Sequence, residues 1–290
     1  MRNFETTTEL MPHQTDAVEK LLPSRIGALF AEMGTGKSRI SIELAKIRHK
    51  KIDHVVWFTP VSLKDNVYGQ ILEHTKCDES DVFVFDDRVT EQTVPDAMWY
   101  VIGIESMSSS ARVVLTAGQI ITKNSFVILD ESTFCKNHHA KRTERIIVLS
   151  EKCRYRMILT GTPLTQGVVD LYAQMKFLSP KILGYNSFYS FAANHLEYSE
   201  EYPGMIVRAH NTGYLAAKIK PYVYQITKDE CLDLPRKLYE TRYTYNRILK
   251  NCILLPIEAE SQDTALRIFS TLNDRGLPLS DSDIFKAQFY

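Results

Sequence analysis

The stretch 31–38 (AEMGTGKS) constrains the fold of this chain more than any other feature of its sequence. It follows an apolar run at 27–30 (GALF) and precedes a run in which Ile40, Leu44 and Ile47 recur at helical spacing. A glycine-rich loop between a strand and a helix turns its backbone N–H groups toward an anion, and the helix N-terminus favours negative charge there. The sequence therefore predicts an α/β fold that contains a strand, a phosphate-binding loop and a helix in succession.

The residue types within this loop suit nucleotide phosphates. Gly34 and Gly36 let the backbone turn toward the anion. Lys37 supplies a point charge, and Ser38 offers a hydroxyl to Mg²⁺. Ala31 stands where such loops usually begin with glycine, but the glycines nearest the phosphates are kept. The alternative, an ordinary turn that contains glycine, stays open at this point.

Five further apolar runs are typical of strands. Near-continuous apolar strands that alternate with helical segments indicate a parallel sheet buried on both faces. Ligands of such sheets bind at the carboxyl ends of the strands. The runs are 54–58 (HVVWF), 82–85 (VFVF), 100–104 (YVIGI), 126–129 (FVIL) and 156–159 (RMIL).

Polar or turn-forming residues follow four of these runs. They are Thr59 and Pro60, Glu105 and Ser106, Asp130 and Glu131, and Thr160, Gly161 and Thr162. Asp130 is placed to hold Mg²⁺, and Glu131 to orient and deprotonate a water that attacks a phosphate, although acidic pairs are often only solvated. The segment 160–163 (TGTP) is either a plain turn or a link between a nucleotide and a nucleic-acid groove.

Two other positions invite a functional interpretation. Gln14, which lies about 20 residues before the phosphate loop, carries the donor and acceptor that an adenine edge needs. Taken alone, it is more typical of a surface residue. His138 and His139 have no cysteine or acidic partner at metal-ligand spacing, so we expect them to be loop residues.

Composition limits the classes of partner. Lys plus Arg number 35 and Asp plus Glu number 35, so any DNA contact must come from a local surface and not from the global charge. The five cysteines are dispersed, which favours reduced thiols over a zinc site or a disulfide framework. No stretch reaches the roughly 18 apolar residues of a membrane span, and the start of the sequence lacks the apolar core of a signal peptide. We therefore expect a cytoplasmic protein without a membrane partner.

Together these motifs resemble the first RecA-like lobe of a superfamily-two helicase, specifically a Swi/Snf-type DNA translocase. Lys136 and Asn137, which follow the acidic pair, are the most family-specific of the matching residues. The resemblance implies a RecA-like P-loop NTPase lobe, with a mostly parallel sheet flanked by helices, plus a small mainly helical C-terminal segment. The matching segments are 10–14 (LMPHQ), 31–38, 58–63 (FTPVSL), 104–106 (IES), 129–137 (LDESTFCKN) and 159–164 (LTGTPL).

The same resemblance implies roles for individual residues. ATP is the expected cofactor, with Mg²⁺ held by Ser38 and Asp130, and Glu131 is the expected catalytic base beside Lys37 and Asp130. Coupling between ATP and DNA is expected at Thr160, Gly161 and Thr162. Contacts with the backbone of double-stranded DNA are expected at Thr59, Pro60, Ser62, Glu105 and Ser106. ATP contacts are expected at Gln14, Met33, Gly34, Thr35, Gly36, Lys37, Ser38 and Arg39.

The domain organisation follows from the same comparison. Residues 1–180 form the expected ATP-binding lobe, and 181–245 its helical extension and exit strand. Residues 246–290 resemble part of the ParB-like domain of GmrSD-type restriction proteins, without that family's upstream Asp-Gly-Gln-Gln-Arg motif; a chance helical hairpin is the alternative. About 50 residues follow Lys237, too few for the second RecA-like lobe whose arginine finger raises the rate by about 10³ to 10⁵.

Three functions remain open from the sequence. The leading one is the ATP-binding lobe of a DNA-dependent ATPase that is weakly active alone, with a second lobe or an effector chain as partner. The compact spacing of the motifs favours a phage or bacterial type. The alternatives are a non-catalytic DNA-binding adaptor that responds to nucleotide, and a truncated or recombined helicase fragment.

Overall fold

A computed structural model describes residues 4–86, 88–165 and 167–231. The chain divides into two compact units, Met1–Leu232 and Asp233–Tyr290. The segment 246–290, for which the sequence predicts a restriction-protein-like helical pair, lies outside the described residues. The fold reported below is that of the first unit, and the predicted boundaries at 180 and 245 stay predictions.

A parallel sheet of seven strands forms the centre of this unit, in the order β3-β4-β2-β5-β6-β1-β9. The six apolar runs predicted as strands are all strands of this sheet, with ends that differ by at most one residue. A short antiparallel hairpin, β7–β8, lies apart from it. The described strands are β1 (Ile26–Ala31), β2 (Val55–Thr59), β3 (Val82–Val84), β4 (Trp99–Gly103), β5 (Phe126–Leu129), β6 (Tyr155–Thr160), β7 (Leu196–Tyr198), β8 (Ile206–Ala209) and β9 (Val223–Ile226).

Helices connect the strands and cover the sheet. In the first part of the described chain they are α1 (Pro12–Leu21), α2 (Lys37–Arg48), α3 (Lys64–His74), α4 (Ser106–Ser109), α5 (Ala111–Ile120) and α6 (Lys141–Glu151). They continue with α7 (Asp170–Leu178), α8 (Pro180–Leu183), α9 (Phe188–His195), α10 (Thr212–Ile219) and α11 (Lys228–Cys231). Short 3₁₀ turns also occur, among them Val61–Leu63 and Ser132–Cys135.

Each strand contributes side chains to two hydrophobic cores, one on each face of the sheet. In β1, Leu29 and Ala31 pack with α1, α2 and α3, whereas Ala28 and Phe30 pack with α5, α6, α7 and α9. Successive side chains of a strand point to opposite faces, so a strand covered on both faces must be apolar at nearly every position. This double burial explains the near-continuous apolar runs of the sequence, and the fold is the predicted RecA-like α/β type.

The residues after α7 complete this unit. Strand β9 pairs in parallel with β1, from Ala28↔Val223 to Ala31↔Ile226. It therefore extends the sheet beyond β1 and brings the residues that follow Ile226 to the edge where the phosphate loop leaves β1. The resemblance predicted an exit strand in this part of the chain.

The structure bears on membrane spans, metal sites and disulfides only for the residues that it describes. Within 4–86, 88–165 and 167–231, no helix is long and apolar enough to cross a membrane. The same residues contain no cluster of three His, Cys, Asp or Glu side chains fit to hold a metal ion. No disulfide joins the cysteines that the structure describes.

His138 joins the loop after β5 to an aromatic cluster. Its ring stacks on Phe188, with centroids 3.8 Å apart, and meets the edge of Tyr172 at 5.6 Å. Burial, together with the nearby His139 and Lys176, lowers the pKa of His138 to about 4. The loop position predicted for both histidines is confirmed, but the ring of His138 also packs against the protein.

This stack predicts a stability that depends on pH. The folded-state pKa of His138 lies below the ordinary value of 6.5, so the unfolded chain binds the proton more readily. The free energy of unfolding should therefore fall as the pH is lowered from 7 to 5. His138→Phe keeps an aromatic ring in the stack and should reduce that fall.

Urea unfolding followed by tryptophan fluorescence measures this effect, because both tryptophans of the chain, Trp57 and Trp99, are fully buried in the described unit. His49→Phe, at an exposed histidine in the 3₁₀ turn after α2, is the matched control, since His49 does not contribute to the pKa of His138. An identical pH dependence of the free energy of unfolding in His138→Phe and the unsubstituted chain would contradict the attribution of that dependence to His138.

Candidate nucleotide-binding site

The phosphate loop lies between β1 and α2 at the carboxyl edge of the sheet. Gly34 and Gly36 have φ values of 85° and 84°, in the left-handed region that favours glycine. Gly36 is also the residue that precedes the first turn of α2. A Cβ added to Gly36 would lie 2.1 Å from Nε2 of Gln14, so a side chain there would displace the Gln14 amide and strain the backbone. Because Gly34 and Gly36 have no side chain, an anion can approach the loop backbone at the start of the 12-residue helix α2, where the helix dipole favours negative charge.

Gln14 packs against this loop instead of lying on the surface. Its side chain is only 6% exposed, so the surface interpretation is wrong. Its Oε1 accepts the N–H of Met11 at 3.0 Å, and its Nε2 donates to the carbonyl of Thr35 at 3.4 Å. Nε2 of His13 lies 2.9 Å from the same carbonyl. In this structure Gln14 supports the loop, and its contact with an adenine stays a prediction.

The other loop side chains divide into internal and exposed ones. Nζ of Lys37 donates to the carbonyl of Ala31 at 3.0 Å, and the Thr35 hydroxyl donates to the carbonyl of Glu32 at 2.8 Å. Both bonds close the loop on itself. Met33 is 73% exposed, and Ser38 is half-buried in the first turn of α2.

Asp130 follows β5 directly and is buried. Its Oδ1 accepts the N–H of Glu131 at 2.9 Å, and its Oδ2 accepts from Nε1 of Trp57 at 3.4 Å and the hydroxyl of Thr59 at 3.5 Å. Burial raises the pKa of Asp130 to about 6, the charge of Glu131 adds to this, and that of Lys37 opposes it. A desolvated carboxylate within electrostatic reach of the loop lysine is the type of group that holds a divalent cation.

Glu131 has an unusual backbone conformation. Its φ of 43° lies in the left-handed region, which a residue with a side chain rarely adopts. It starts the 3₁₀ turn Ser132–Cys135, and its side chain is half-buried. Backbone strain of this kind is concentrated at functional sites, where the surrounding structure maintains it.

The loop after β6 contacts the phosphate loop. A Cβ added to Gly161 would lie 3.4 Å from the carbonyl oxygen of Ala31 and 3.6 Å from Cα of Glu32. The buried hydroxyl of Thr160 accepts the N–H of Thr162 at 3.1 Å. The segment 160–162 is thus a tight turn whose backbone lies against the phosphate loop, at the edge where the sequence predicts it.

One family model matches most of the chain. It is described as the SNF2-related domain, and it matches residues 13–245, a span that contains every segment of the candidate site. The chain belongs to the SNF2-related family. The solved SWI2/SNF2 ATPase core of Sulfolobus solfataricus in complex with dsDNA matches this SNF2-related chain with a TM-score of 0.63 at 20% identity, covering 94% of this chain and 59% of that one. At this identity the likeness shows the fold.

Curated relatives are similar over a little more than half of the chain. The SNF2-related chain is 28% identical over 200 residues to the DNA repair and recombination protein RAD54B of Gallus gallus, covering 62% of this chain and 21% of the relative. It is 29% identical over 174 residues to the chromatin-remodeling ATPase INO80 of Saccharomyces cerevisiae, covering 54% of this chain and 11% of the relative. The chain spans about a fifth or less of the length of these relatives.

A buried glutamine that sequence reasoning missed joins two segments of the site. One is the 3₁₀ turn Ser132–Cys135 that follows the acidic pair, called the acidic turn below, and the other is the loop after β6. Gln174, in α7, is fully buried. Its Oε1 accepts the hydroxyl of Ser132 at 2.6 Å. Its Nε2 donates to the carbonyls of Pro163 and Asp170, both at 2.9 Å. The one sequence signal was a polar residue in an otherwise apolar stretch of helix, which by itself does not indicate its partners.

Lys136 makes a second tie between the same two segments. Its Nζ contacts the hydroxyl of Thr165 and lies 3.8 Å from the buried carboxylate of Asp170. The same carboxylate accepts the N–H of Thr165 at 2.7 Å and its hydroxyl at 2.9 Å. The residue that was most family-specific in the sequence therefore holds the end of the 160–165 segment to the segment after the acidic pair.

Part of the predicted DNA-contact set has buried side chains. Thr59 and Pro60 are buried, and the hydroxyl of Thr59 faces Asp130, so a contact between DNA and these two positions stays a prediction. Oε2 of Glu105 accepts the N–H of Val61 at 2.9 Å, which braces the loop after β2 with a charge that would repel phosphate. Ser62, which is exposed, and Ser106, which is half-buried at the start of α4, remain predicted contacts.

The side chain of Arg39, for which the resemblance implies an ATP contact, bonds to other parts of the protein. Its guanidinium donates to the hydroxyl and the carbonyl of Thr8, at 2.9 and 2.6 Å, and to Glu43 at 2.8 Å. It is only 4% exposed. The side chain holds the first residues of the described chain to α2, which leaves the backbone N–H as the group that a nucleotide would meet.

The hydrogen bonds of Gln174 predict a large loss of stability on its removal. Gln174→Leu keeps the helix and the apolar volume but leaves the Ser132 hydroxyl and the Pro163 carbonyl without their buried partner. The free energy of unfolding should fall by about 2 kcal/mol.

Gln70→Leu in α3 is the matched control, because Oε1 of Gln70 is buried and has no hydrogen-bond partner among the described residues. This variant should change the free energy of unfolding little, or raise it. Equal losses for the two variants, measured by urea unfolding with tryptophan fluorescence, would refute the bridging role of Gln174.

Proposed function

We propose that this chain is the ATP-binding lobe of a Swi/Snf-type DNA-dependent ATPase that translocates along double-stranded DNA. The observation that carries the proposal is the meeting of three loops at one edge of the sheet. The loops follow β5, β6 and β1, which are neighbours in the sheet, and they supply the acidic pair, the segment 160–162 and the phosphate loop. Membership of the SNF2-related family and the dsDNA complex of the Sulfolobus solfataricus core support it.

The residues present fit ATP and Mg²⁺. The bare backbone at Gly34 and Gly36, with the amides of Thr35, Ser38 and Arg39 around the start of α2, binds the phosphates, and Lys37 exchanges its bond to the loop carbonyl for one to phosphate. Met33 is exposed within the loop and is open to a nucleotide, and Gln14, which packs against the loop, meets the adenine by exchanging its present partners. When bound, Mg²⁺ neutralises charge on the phosphate oxygens.

The two members of the acidic pair have different roles, metal binding for Asp130 and activation of water for Glu131. Ser38 and the buried Asp130 hold the metal ion, because a hydroxyl and a carboxylate are ligands that Mg²⁺ accepts. Glu131, half-buried and next to Asp130 in the chain, orients the attacking water and takes its proton. The Coulombic effect of Lys37 on Asp130 supports placing phosphate and metal together here.

Coupling to DNA passes through the loop after β6. Gly161 packs on the phosphate loop, and Gln174 bonds both this loop's Pro163 and the Ser132 of the acidic turn. A change at the phosphates therefore reaches Thr160 and Thr162 through direct contacts. Ser62 and Ser106 offer hydroxyls to a DNA backbone at the ends of β2 and β4.

We infer that the 290-residue chain by itself hydrolyses ATP weakly. The charge that develops on the transferred phosphoryl group needs a cation from outside this lobe, and an arginine finger is worth about 10³ to 10⁵ in rate. A second RecA-like lobe or an effector chain is the proposed source. The phage or bacterial type and the restriction-protein-like segment 246–290 belong to the same proposal.

Two substitutions test the site. Lys37→Ala should weaken ATP binding by at least about tenfold, because it removes a charge-assisted contact with phosphate. Glu131→Gln should keep the affinity and lose the turnover. Equilibrium titration with ATP and Mg²⁺, and phosphate release with and without double-stranded DNA, measure the two effects.

Lys50→Ala is the matched control, because Lys50 is exposed in the 3₁₀ turn that follows the far end of α2. Undiminished ATP affinity in Lys37→Ala would overturn the site. ATP binding without turnover, with or without DNA, would favour the non-catalytic adaptor.

A further inference from the structure

Lys228 lies next to the phosphate loop although it is distant from it in sequence. It begins α11 and follows β9, whose register with β1 pairs Ala31 with Ile226. Parallel strands end at the same edge of a sheet, so the residues after Ile226 leave beside the residues after Ala31. The phosphate loop therefore has a neighbouring segment on the side of the sheet away from β6.

The side chain of Lys228 reaches the loop backbone. Its Cε and Nζ lie 3.3 and 3.7 Å from the point that a Cβ on Gly34 would occupy. Gly34 is one of the two loop glycines with positive φ. Among the described residues, the structure records neither a hydrogen bond nor an ion pair for this Nζ. A cation that has no partner within 4–86, 88–165 and 167–231 thus lies against a loop whose shape suits phosphate.

The backbone of Lys228 is held in place by the loop itself. Its N–H donates to Oε2 of Glu32 at 3.0 Å, and the N–H of Glu32 donates to the carbonyl of Ile226 at 3.2 Å. Oε2 of Glu230 accepts the N–H and the hydroxyl of Thr227, at 2.8 and 3.0 Å. These two carboxylates bond backbone amides or a hydroxyl, and neither forms an ion pair with the ammonium group in the part of the chain that the structure describes.

We propose that Lys228 is a second phosphate-binding cation of this site and contacts the phosphates of a nucleoside triphosphate from the opposite side to Lys37. The inference rests on the proposed function, since it names a further residue of the same nucleotide site. Lys37 lies inside the loop at the start of α2, whereas Lys228 approaches Gly34 from β9. Two cations on one triphosphate share a charge that a single ammonium neutralises only in part.

The dependence of binding on phosphate number tests the proposal. The full 290-residue chain is titrated with ATP, ADP and AMP in the presence of Mg²⁺. Lys228→Ala should weaken ATP binding by about tenfold, the typical effect of one charge-assisted contact, weaken ADP binding less, and leave AMP binding unchanged. Lys228→Arg should retain most of the affinity, because it keeps the charge.

Lys220→Ala is the matched control, since it removes the same charge near the amino end of β9, one strand length from the loop. It should leave all three affinities unchanged. Lys228 is exposed, so its replacement should not alter unfolding by urea.

Two results would overturn the inference while leaving the proposed function intact. One is an unchanged ATP affinity in Lys228→Ala when Lys37→Ala has lost it. The other is an equal loss for ATP and AMP, which would indicate a general distortion of the loop. Failure of the unsubstituted chain to bind ATP would instead overturn the proposed function, and the role of Lys228 with it.

Discussion

Parallel pairing of β1 with β6 on one side and β9 on the other holds the candidate site together. The paired residues run from Ile26↔Arg156 to Phe30↔Thr160 and from Ala28↔Val223 to Ala31↔Ile226. Because the three strands point in one direction, the segments that follow them leave the sheet at one edge. The phosphate loop, the turn at Gly161 and Lys228 are neighbours for this reason. A one-residue shift of either register would move side chains from the core on one face of the sheet to the core on the other.

Burial also determines the chemistry of the acidic pair. Asp130 is 8% exposed at the end of a strand covered on both faces, and this desolvation raises its pKa to about 6. The segment that follows the pair is held by Gln174, which bonds Ser132 and Pro163, and by Lys136, which lies beside Asp170. A buried polar network that is fully bonded is rigid, and such rigidity maintains the strained backbone of Glu131.

Strands β1 to β6 were predictable to within one residue because both faces of the sheet are covered, so nearly every position of these strands is apolar. The glycines of the loop were predictable because positive φ favours glycine and little else. The environment of Gln14 was not predictable, because it depends on the packing of α1 beside Gly36. The residues around Gln14 carry no sign of that packing. The partner of Thr59 was not predictable for a similar reason, because the carboxylate that its hydroxyl faces, that of Asp130, follows another strand.

The order of the motifs, the α/β class and the edge of the sheet at which the polar segments lie follow from the residues alone, because periodicity, glycine and strand ends are local properties of the chain. Which of those segments touch depends on how the strands and helices pack. The sheet order β5-β6-β1-β9 places Lys228 beside Gly34, and the packing of α7 places Gln174 between two loops. Strand order and helix packing arise from contacts between residues far apart in the chain, which no local pattern of residue types encodes.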